Sequence, residues 1–79
     1  MDYSNMSIAQ LAGVCRRDWK NVYFGAVPYL EAMGSLQNIE DNFYLDSGKS
    51  FVIYFLANAN TWRGEVARAV KAELKRRCK

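Results

Sequence analysis

Apolar residues recur at helical spacing along most of the chain, and the first such stretch lies near its amino terminus. Steps of three and four positions place on one helix face Ile8, Leu11, Cys15 and Trp19. Ser7 precedes this face and Gln10 stands three positions later, which is the spacing of a capping box. The pattern predicts a first helix over residues 7–18.

A second periodic stretch predicts a helix over residues 20–35. Pro28 interrupts it, because inside a helix the proline ring collides with the carbonyl group of the preceding turn and offers no N–H. We therefore expect a kink or a fresh start between residues 25 and 28. The polar and acidic residues 37–45 predict an irregular connection or a single turn.

The run from Phe51 to Leu56 is aromatic and β-branched, which is typical of a buried strand. No second strand-like run exists to pair with it, and an unpaired buried strand leaves its backbone groups unsatisfied. With Asp46 or Ser47 as its cap, the run predicts instead a helix over residues 47–58, apolar on all sides and therefore central.

A last helix is predicted over residues 61–77, with Thr61 as its cap. Its apolar stripe consists of Trp62, Val66, Val70 and Leu74. These patterns together predict an all-α fold, a compact four-helix array in a single domain over residues 1–79. Its predicted core consists of Leu11, Trp19, Tyr29, Leu30, Met33, Phe51, Phe55, Trp62, Val66, Val70 and Leu74.

Composition limits the chemistry of this domain. The chain has 79 residues and no histidine, so the commonest general base and the commonest metal ligand are absent. Its two cysteines, Cys15 and Cys78, cannot form a zinc site by themselves, and Cys15 is expected in the core. We therefore predict that the protein is not an enzyme and that it holds no cofactor and no metal ion.

Two short motifs allow other interpretations. Residues 48–50 (GKS) end like a phosphate-binding loop, but Phe43 stands where that loop needs a glycine, so we expect the first turn of a helix. The adjacent acids Glu40 and Asp41 could carry acid–base chemistry or bind a cation. Solvated loop carboxylates are the commoner interpretation.

Charge is unevenly distributed along the chain. Residues 61–79 hold seven basic residues against two acidic ones, whereas residues 21–60 hold one lysine against four acids. A basic stripe on the last helix, the candidate surface for nucleic acid or an acidic protein, includes Arg68, Lys71, Lys75, Arg76 and Lys79. The alternative is a solvated helix end whose cations complement the helix dipole.

Aromatic residues exceed what one small core can hide. We expect some to reach the surface from the set Tyr23, Phe24, Tyr29, Phe43 and Tyr44. Exposed aromatics beside acids indicate a protein-binding patch or a homodimer seam, and half-packed rim residues are the alternative. The acidic candidates for partner contact are Glu40, Asp41 and Asp46, with Tyr44 beside them, and they could mimic nucleic acid.

The polar start of the chain is unlike a signal peptide, and its longest apolar run is far shorter than the roughly 20 residues that span a bilayer. We therefore expect a cytoplasmic protein without membrane contact. Four stretches carry a resemblance: residues 19–33 (WKNVYFGAVPYLEAM), 46–50 (DSGKS), 54–59 (YFLANA) and 61–65 (TWRGE). They resemble short proteins encoded by tailed bacteriophages and prophages, over about residues 17–77.

The resemblance implies a phage-type protein that acts inside a bacterial host cell, and it brings no site residues. By analogy with anti-CRISPR and other anti-defence proteins, we expect a binding protein that inhibits or modulates a host protein complex, with a CRISPR–Cas effector as one candidate. The alternative is a nucleic-acid-binding accessory or regulatory protein that uses the basic stripe.

Overall fold

Four α-helices make up most of the fold in a computed structural model that describes residues 2–43 and 46–79. In chain order they are α1 (Ile8–Asp18), α2 (Val27–Met33), α3 (Gly48–Ala57) and α4 (Glu65–Arg77). A short 3₁₀ helix precedes α1 at Tyr3–Asn5, and a second one, Phe24–Ala26, precedes α2. Two strands of two residues, β1 (Asn42–Phe43) and β2 (Asp46–Ser47), lie between α2 and α3. The predicted all-α, four-helix architecture is confirmed.

The start of α1 follows the predicted capping box. The backbone N–H of Gln10 donates to Ser7 Oγ over 3.1 Å, and the N–H of Ser7 donates to Gln10 Oε1 over 2.8 Å. Ile8, Leu11 and Cys15 are fully buried. The apolar face of α1 therefore packs as the spacing predicted.

The predicted helix over residues 20–35 is wrong in its first half. Residues 20–23 are not helical, a 3₁₀ turn follows, and α2 occupies only Val27–Met33. Pro28 lies in the first turn of α2, where a missing N–H loses no helical hydrogen bond. The fresh start near the proline is thus confirmed, and the helix before it is absent.

The connection before α3 contains a small antiparallel pairing that the polar pattern did not predict. Asn42 pairs with Ser47 and Phe43 with Asp46. The N–H of Gly48 donates to the carbonyl oxygen of Asp41 over 2.6 Å. A Cβ on Gly48 would lie 2.8 Å from that oxygen and 2.9 Å from the one of Ile39, so this close approach requires glycine.

The helix predicted for residues 47–58 is confirmed as α3, but its central placement is wrong. Ser47 caps it by accepting from the N–H of Ser50. Val52 and Phe55 are fully buried, whereas the neighbouring Ile53 and Tyr54 are 45% and 54% exposed. Only one side of α3 faces the core.

The last helix begins later than predicted, at Glu65, and Gly64 rather than Thr61 is its N-cap. Gly64 has φ 113°, a left-handed conformation that glycine adopts without steric penalty. Trp62 lies in the preceding turn, 2% exposed, and its Nε1 donates to Asp18 Oδ2 over 2.8 Å. Burial of this tryptophan outweighs the local tendency to start the helix at Thr61.

One hydrophobic core joins the four helices. α2 and α3 pack against each other, and α1 contacts both α2 and α4. The Trp19 and Trp62 rings stack with centroids 5.9 Å apart. Of the predicted core, three members are only partly buried: Tyr29, Phe51 and Val66. Within the described residues, every helix is too short or too polar to cross a membrane.

Candidate binding surfaces

The acidic residues predicted to meet a partner do not form one site. Asp41 Oδ2 accepts the backbone N–H groups of Gln37 and Asn38, each over 3.0 Å. These bonds hold the pKa of the Asp41 carboxyl below its usual value. Asp41 therefore forms a turn, and its predicted contact with a partner stays a prediction. Glu40 and Asp46 are exposed, and Tyr44 lies outside the described residues.

The basic stripe divides into two groups. Arg68, Lys71 and Lys75 line one groove together with Arg63, and this groove is called the basic groove below. Arg76 does not belong to it. Its Nε donates to Glu73 Oε1 over 3.0 Å, and it lines a separate polar groove of about 740 Å³ with Glu40. Arg76 and Lys71 thus line different grooves, and the predicted contact of Arg76 with a partner stays a prediction.

Glu73 neutralises the second group. Besides Arg76, it accepts from Arg77 Nε over 2.6 Å, and the two residues form an i,i+4 ion pair on α4. Its pKa is lowered, chiefly by the hydrogen bond from Arg76. Arg77 also donates to the carbonyl oxygens of Tyr3 and Ser4, both over 3.1 Å. Arg77 thus holds the N-terminal 3₁₀ turn and the end of α4 together.

Lys71 makes hydrogen bonds to backbone groups within the fold. Its Nζ donates to the carbonyl oxygens of Ala59 and Trp62, each over 2.6 Å, and lies 5.8 Å from the centre of the Trp62 ring. Burial lowers the pKa of Lys71, and the nearby positive charges of Lys75 and Arg63 lower it further. Lys71 therefore holds the turn before α4, and its predicted contact with a partner stays a prediction.

A cluster of exposed apolar side chains lies on α3 and on the segment before α2. Phe24 is 80% exposed and Tyr23 43%, and their ring centroids are 4.9 Å apart. Tyr54 stacks on half-buried Tyr29 with centroids 5.5 Å apart. These residues and Ile53 are called the aromatic face below.

Gly25 and Asn58 lie next to both parts of this face. Asn58 Nδ2 donates to the carbonyl oxygen of Tyr54 over 2.9 Å. A Cβ on Gly25 would lie 2.6 Å from Tyr23 Cε2 and 3.0 Å from Asn58 Oδ1. The ring of Tyr23 therefore lies near the end of α3, the helix that carries Ile53 and Tyr54.

Comparison of the chain with protein-family models, with curated proteins and with solved structures found no match. The assignment of a site therefore depends on the geometry of the chain itself. Cys15 is fully buried, and burial raises the pKa of its thiol to about 12, so it stays protonated and unreactive near neutral pH. No group of three potential metal ligands occurs among residues 2–43 and 46–79.

Two parts of these surfaces were missed by the sequence patterns. The pattern predicts a helix that is buried on all sides, and this helix includes Ile53 and Tyr54. Val52 and Phe55 are three positions apart and therefore share one helix face, and Ile53 and Tyr54 do not lie on it. Arg63 was assigned to a helix, whereas it lies in the turn before α4 and lines the basic groove. Only the tertiary turn around Trp62 brings Arg63 there, so no local signal predicted it.

Proposed function

We propose that this protein is a non-catalytic binding protein that attaches to a partner protein through the aromatic face and blocks the surface it covers. The observation that carries the proposal is the exposure of Tyr23, Phe24, Ile53 and Tyr54. Such clusters on a small domain mark interaction sites. Rigid tyrosine and phenylalanine side chains supply large contact areas at little entropic cost.

Charge indicates what kind of surface the aromatic face fits. It belongs to the segment of residues 21–60, which holds one lysine against four acids. The net negative charge of this segment favours a partner whose apolar patch is accompanied by basic side chains. A second copy fits less well, because it carries the same negatively charged segment.

The resemblance to phage-encoded proteins supports a partner from a bacterial host. Inhibition or modulation of a host protein complex then requires only stable occlusion of one of its surfaces. A CRISPR–Cas effector is the first candidate to test, by analogy with other small anti-defence proteins. Such complexes bind nucleic acid and carry basic surfaces, which suit a partner with a negatively charged segment.

The test compares captured partners between variants. The tagged chain, produced in a bacterial host, is purified by affinity and size exclusion, and its partners are identified by mass spectrometry. We expect an equimolar complex that the wild type forms and Phe24→Ser/Tyr54→Ser loses. The matched control is Arg16→Ser/Lys20→Ser, which truncates two exposed side chains outside the aromatic face and should retain the complex.

The captured complex is then assayed for its own activity with and without the purified chain. Inhibition by the wild type and by the control, but not by Phe24→Ser/Tyr54→Ser, supports the proposal. A complex that survives the loss of both aromatic residues contradicts it. So does a wild-type dimer in solution that the same two substitutions dissociate, because the aromatic face then pairs with a second copy.

A further inference from the structure

The basic groove carries four positive charges, and none of its described lining residues is acidic. Its volume is about 460 Å³, and its charged lining consists of Arg63, Arg68, Lys71 and Lys75. Ala67 and Ala72 also line it, between the cations of α4. The groove is thus a small concave surface of one charge sign.

The cations of the basic groove lack the neutralisation seen elsewhere on α4. Arg76 and Arg77 are paired with Glu73. In the described part of the chain, no carboxylate oxygen lies within 4.0 Å of the charged groups of Arg63, Arg68 or Lys75. Clustered like charges repel one another, so a bound anion would relieve this repulsion.

One of these charges, the ammonium group of Lys71, is held in place by the backbone. Its ammonium group has three N–H donors, and the carbonyl oxygens of Ala59 and Trp62 occupy two of them. The third donor is left for a ligand. Because the backbone holds the ammonium, an anion would meet an oriented charge and would not have to order a flexible side chain.

The spacing of the other cations fits a linear polyanion. Arg68 and Lys75 are seven residues apart on α4, which is about 10.5 Å along the helix axis. One strand of B-form DNA advances about 3.4 Å per nucleotide along the duplex axis, and neighbouring phosphates are farther apart along the strand itself, so this span reaches more than one phosphate. A phosphodiester chain therefore presents charges at intervals that several groove cations can meet together.

We propose that the basic groove binds the phosphodiester backbone of a nucleic acid without reading its sequence. An acidic protein fits less well, because specific protein contacts need a large apolar anchor. The groove offers only two alanines, since Trp62 is 2% exposed. For the same reason no aromatic ring is available there for base stacking, which leaves backbone contact as the mode of binding.

The test measures binding of the purified full chain to a fluorescently labelled duplex and a single strand of random sequence by anisotropy. We expect complexes at low salt whose affinity falls with a log–log salt slope of about −3, as expected for three or four neutralised phosphates. Arg68→Glu/Lys75→Glu should weaken binding at least about tenfold and reduce the slope by about two.

The matched control is Arg16→Glu/Lys49→Glu, which changes the net charge by the same amount. Arg16 and Lys49 are exposed and do not line the groove, so this variant should bind much more tightly than Arg68→Glu/Lys75→Glu. Arg63→Glu, a single change in the turn before α4, should also weaken binding. Circular dichroism checks that each variant keeps its helices.

Three outcomes would overturn the proposal. One is the absence of any complex at low salt. Another is an equal loss of affinity in the two double variants, which would mean that net charge and not the groove attracts the nucleic acid. The last is equally tight binding of a polyglutamate of matched charge, which would assign the groove to acidic proteins. The partner-capture result at the aromatic face affects none of these measurements.

Discussion

The connection between α3 and α4 and the connection between α2 and α3 are each held by one charged side chain bound to backbone groups. Lys71 donates to the carbonyl oxygens of Ala59 and Trp62. Asp41 has the opposite charge and accepts from the N–H groups of Gln37 and Asn38. Lys71 reaches back from the following helix, whereas Asp41 acts within its own turn.

This difference separates a connection centred on a large buried aromatic side chain from one that depends more on backbone contacts. The α3–α4 connection inserts Trp62 between Trp19, on which it stacks, and Lys71. The α2–α3 connection buries the smaller side chain of Leu36 and depends on the close backbone contact at Gly48. We expect damage to the first to destabilise the whole domain, and damage to the second to cost less.

The largest expected effect comes from Trp62→Ala. Removal of a buried tryptophan leaves a cavity and typically lowers the free energy of unfolding by about 3–5 kcal/mol. It also leaves Asp18 Oδ2 without its indole donor. Urea denaturation followed by circular dichroism measures the loss.

Thr61→Ala is the control for this variant, since Thr61 is exposed in the same turn and makes no cap. Its expected change is within about 0.5 kcal/mol. If Thr61→Ala instead cost as much as Trp62→Ala, the turn would owe its stability to local capping and not to the core.

The two connections also show what the sequence could predict. The start of α1 was predicted because Ser7 and Gln10 satisfy neighbouring backbone groups, and the buried face of Ile8 and Leu11 follows from spacing alone. The start of α4 was not, because the distant ring of Trp19 and the carboxylate of Asp18 decide where Trp62 lies. A local sequence pattern does not include such long-range contacts.

The candidate surfaces were predictable to a similar extent. A surplus of aromatics indicated that Tyr23 and Phe24 reach the surface, which is confirmed. The charges of Lys71 and Asp41 suggested partner contacts, but their partners are backbone atoms whose positions exist only after the turns form. Side chains that bind distant or turn-specific backbone groups are therefore the residues that sequence patterns assign least well.

Gly48→Ala tests the α2–α3 connection. An added methyl group would press on the carbonyl oxygens of Asp41 and Ile39, and overpacking of this kind costs about 1–3 kcal/mol. Thermal or urea unfolding measures the loss. Gly13→Ala is the matched control, because its nearest contact would be the flexible Arg17 side chain at 3.5 Å.

Gly13 lies inside α1, where alanine should stabilise by up to about 1 kcal/mol. The two glycine variants are thus expected to have opposite signs. A Gly48→Ala protein as stable as Gly13→Ala would show that the α2–α3 connection moves aside easily, and that the close approach contributes little.

Lys71→Met tests the charged contact of the α3–α4 connection. Its apolar stem is kept, but the carbonyl oxygens of Ala59 and Trp62 lose their donor, and we expect a loss of about 1–2 kcal/mol after allowance for solvent screening. Lys75→Met is the matched control, since Lys75 is exposed and has no hydrogen-bond partner among the described residues. Equal stability of the two variants would contradict the anchoring role of Lys71.

Asp41→Asn is expected to change the free energy of unfolding least, and the size of this change should depend on pH. The amide keeps an oxygen acceptor for Gln37 and Asn38 but cannot ionise. In the wild type the folded pKa of Asp41 lies below the ordinary value of 3.8 because those two N–H groups favour the carboxylate. The resulting stabilisation is fully present above pH 3.8 and is lost as the pH falls through the lower, folded value.

The stability difference between wild type and Asp41→Asn should therefore be constant near neutral pH and shrink below pH 3.8. Urea unfolding of both proteins from about pH 2 to pH 7 measures it. Glu73 also has a lowered pKa, so its protonation in acid lowers stability too. This loss of stability is common to both proteins and cancels in the difference. If the stability difference stays constant at acid pH, Asp41 holds its turn without using its charge. Its role would then differ from that of Lys71, whose charge holds the α3–α4 connection.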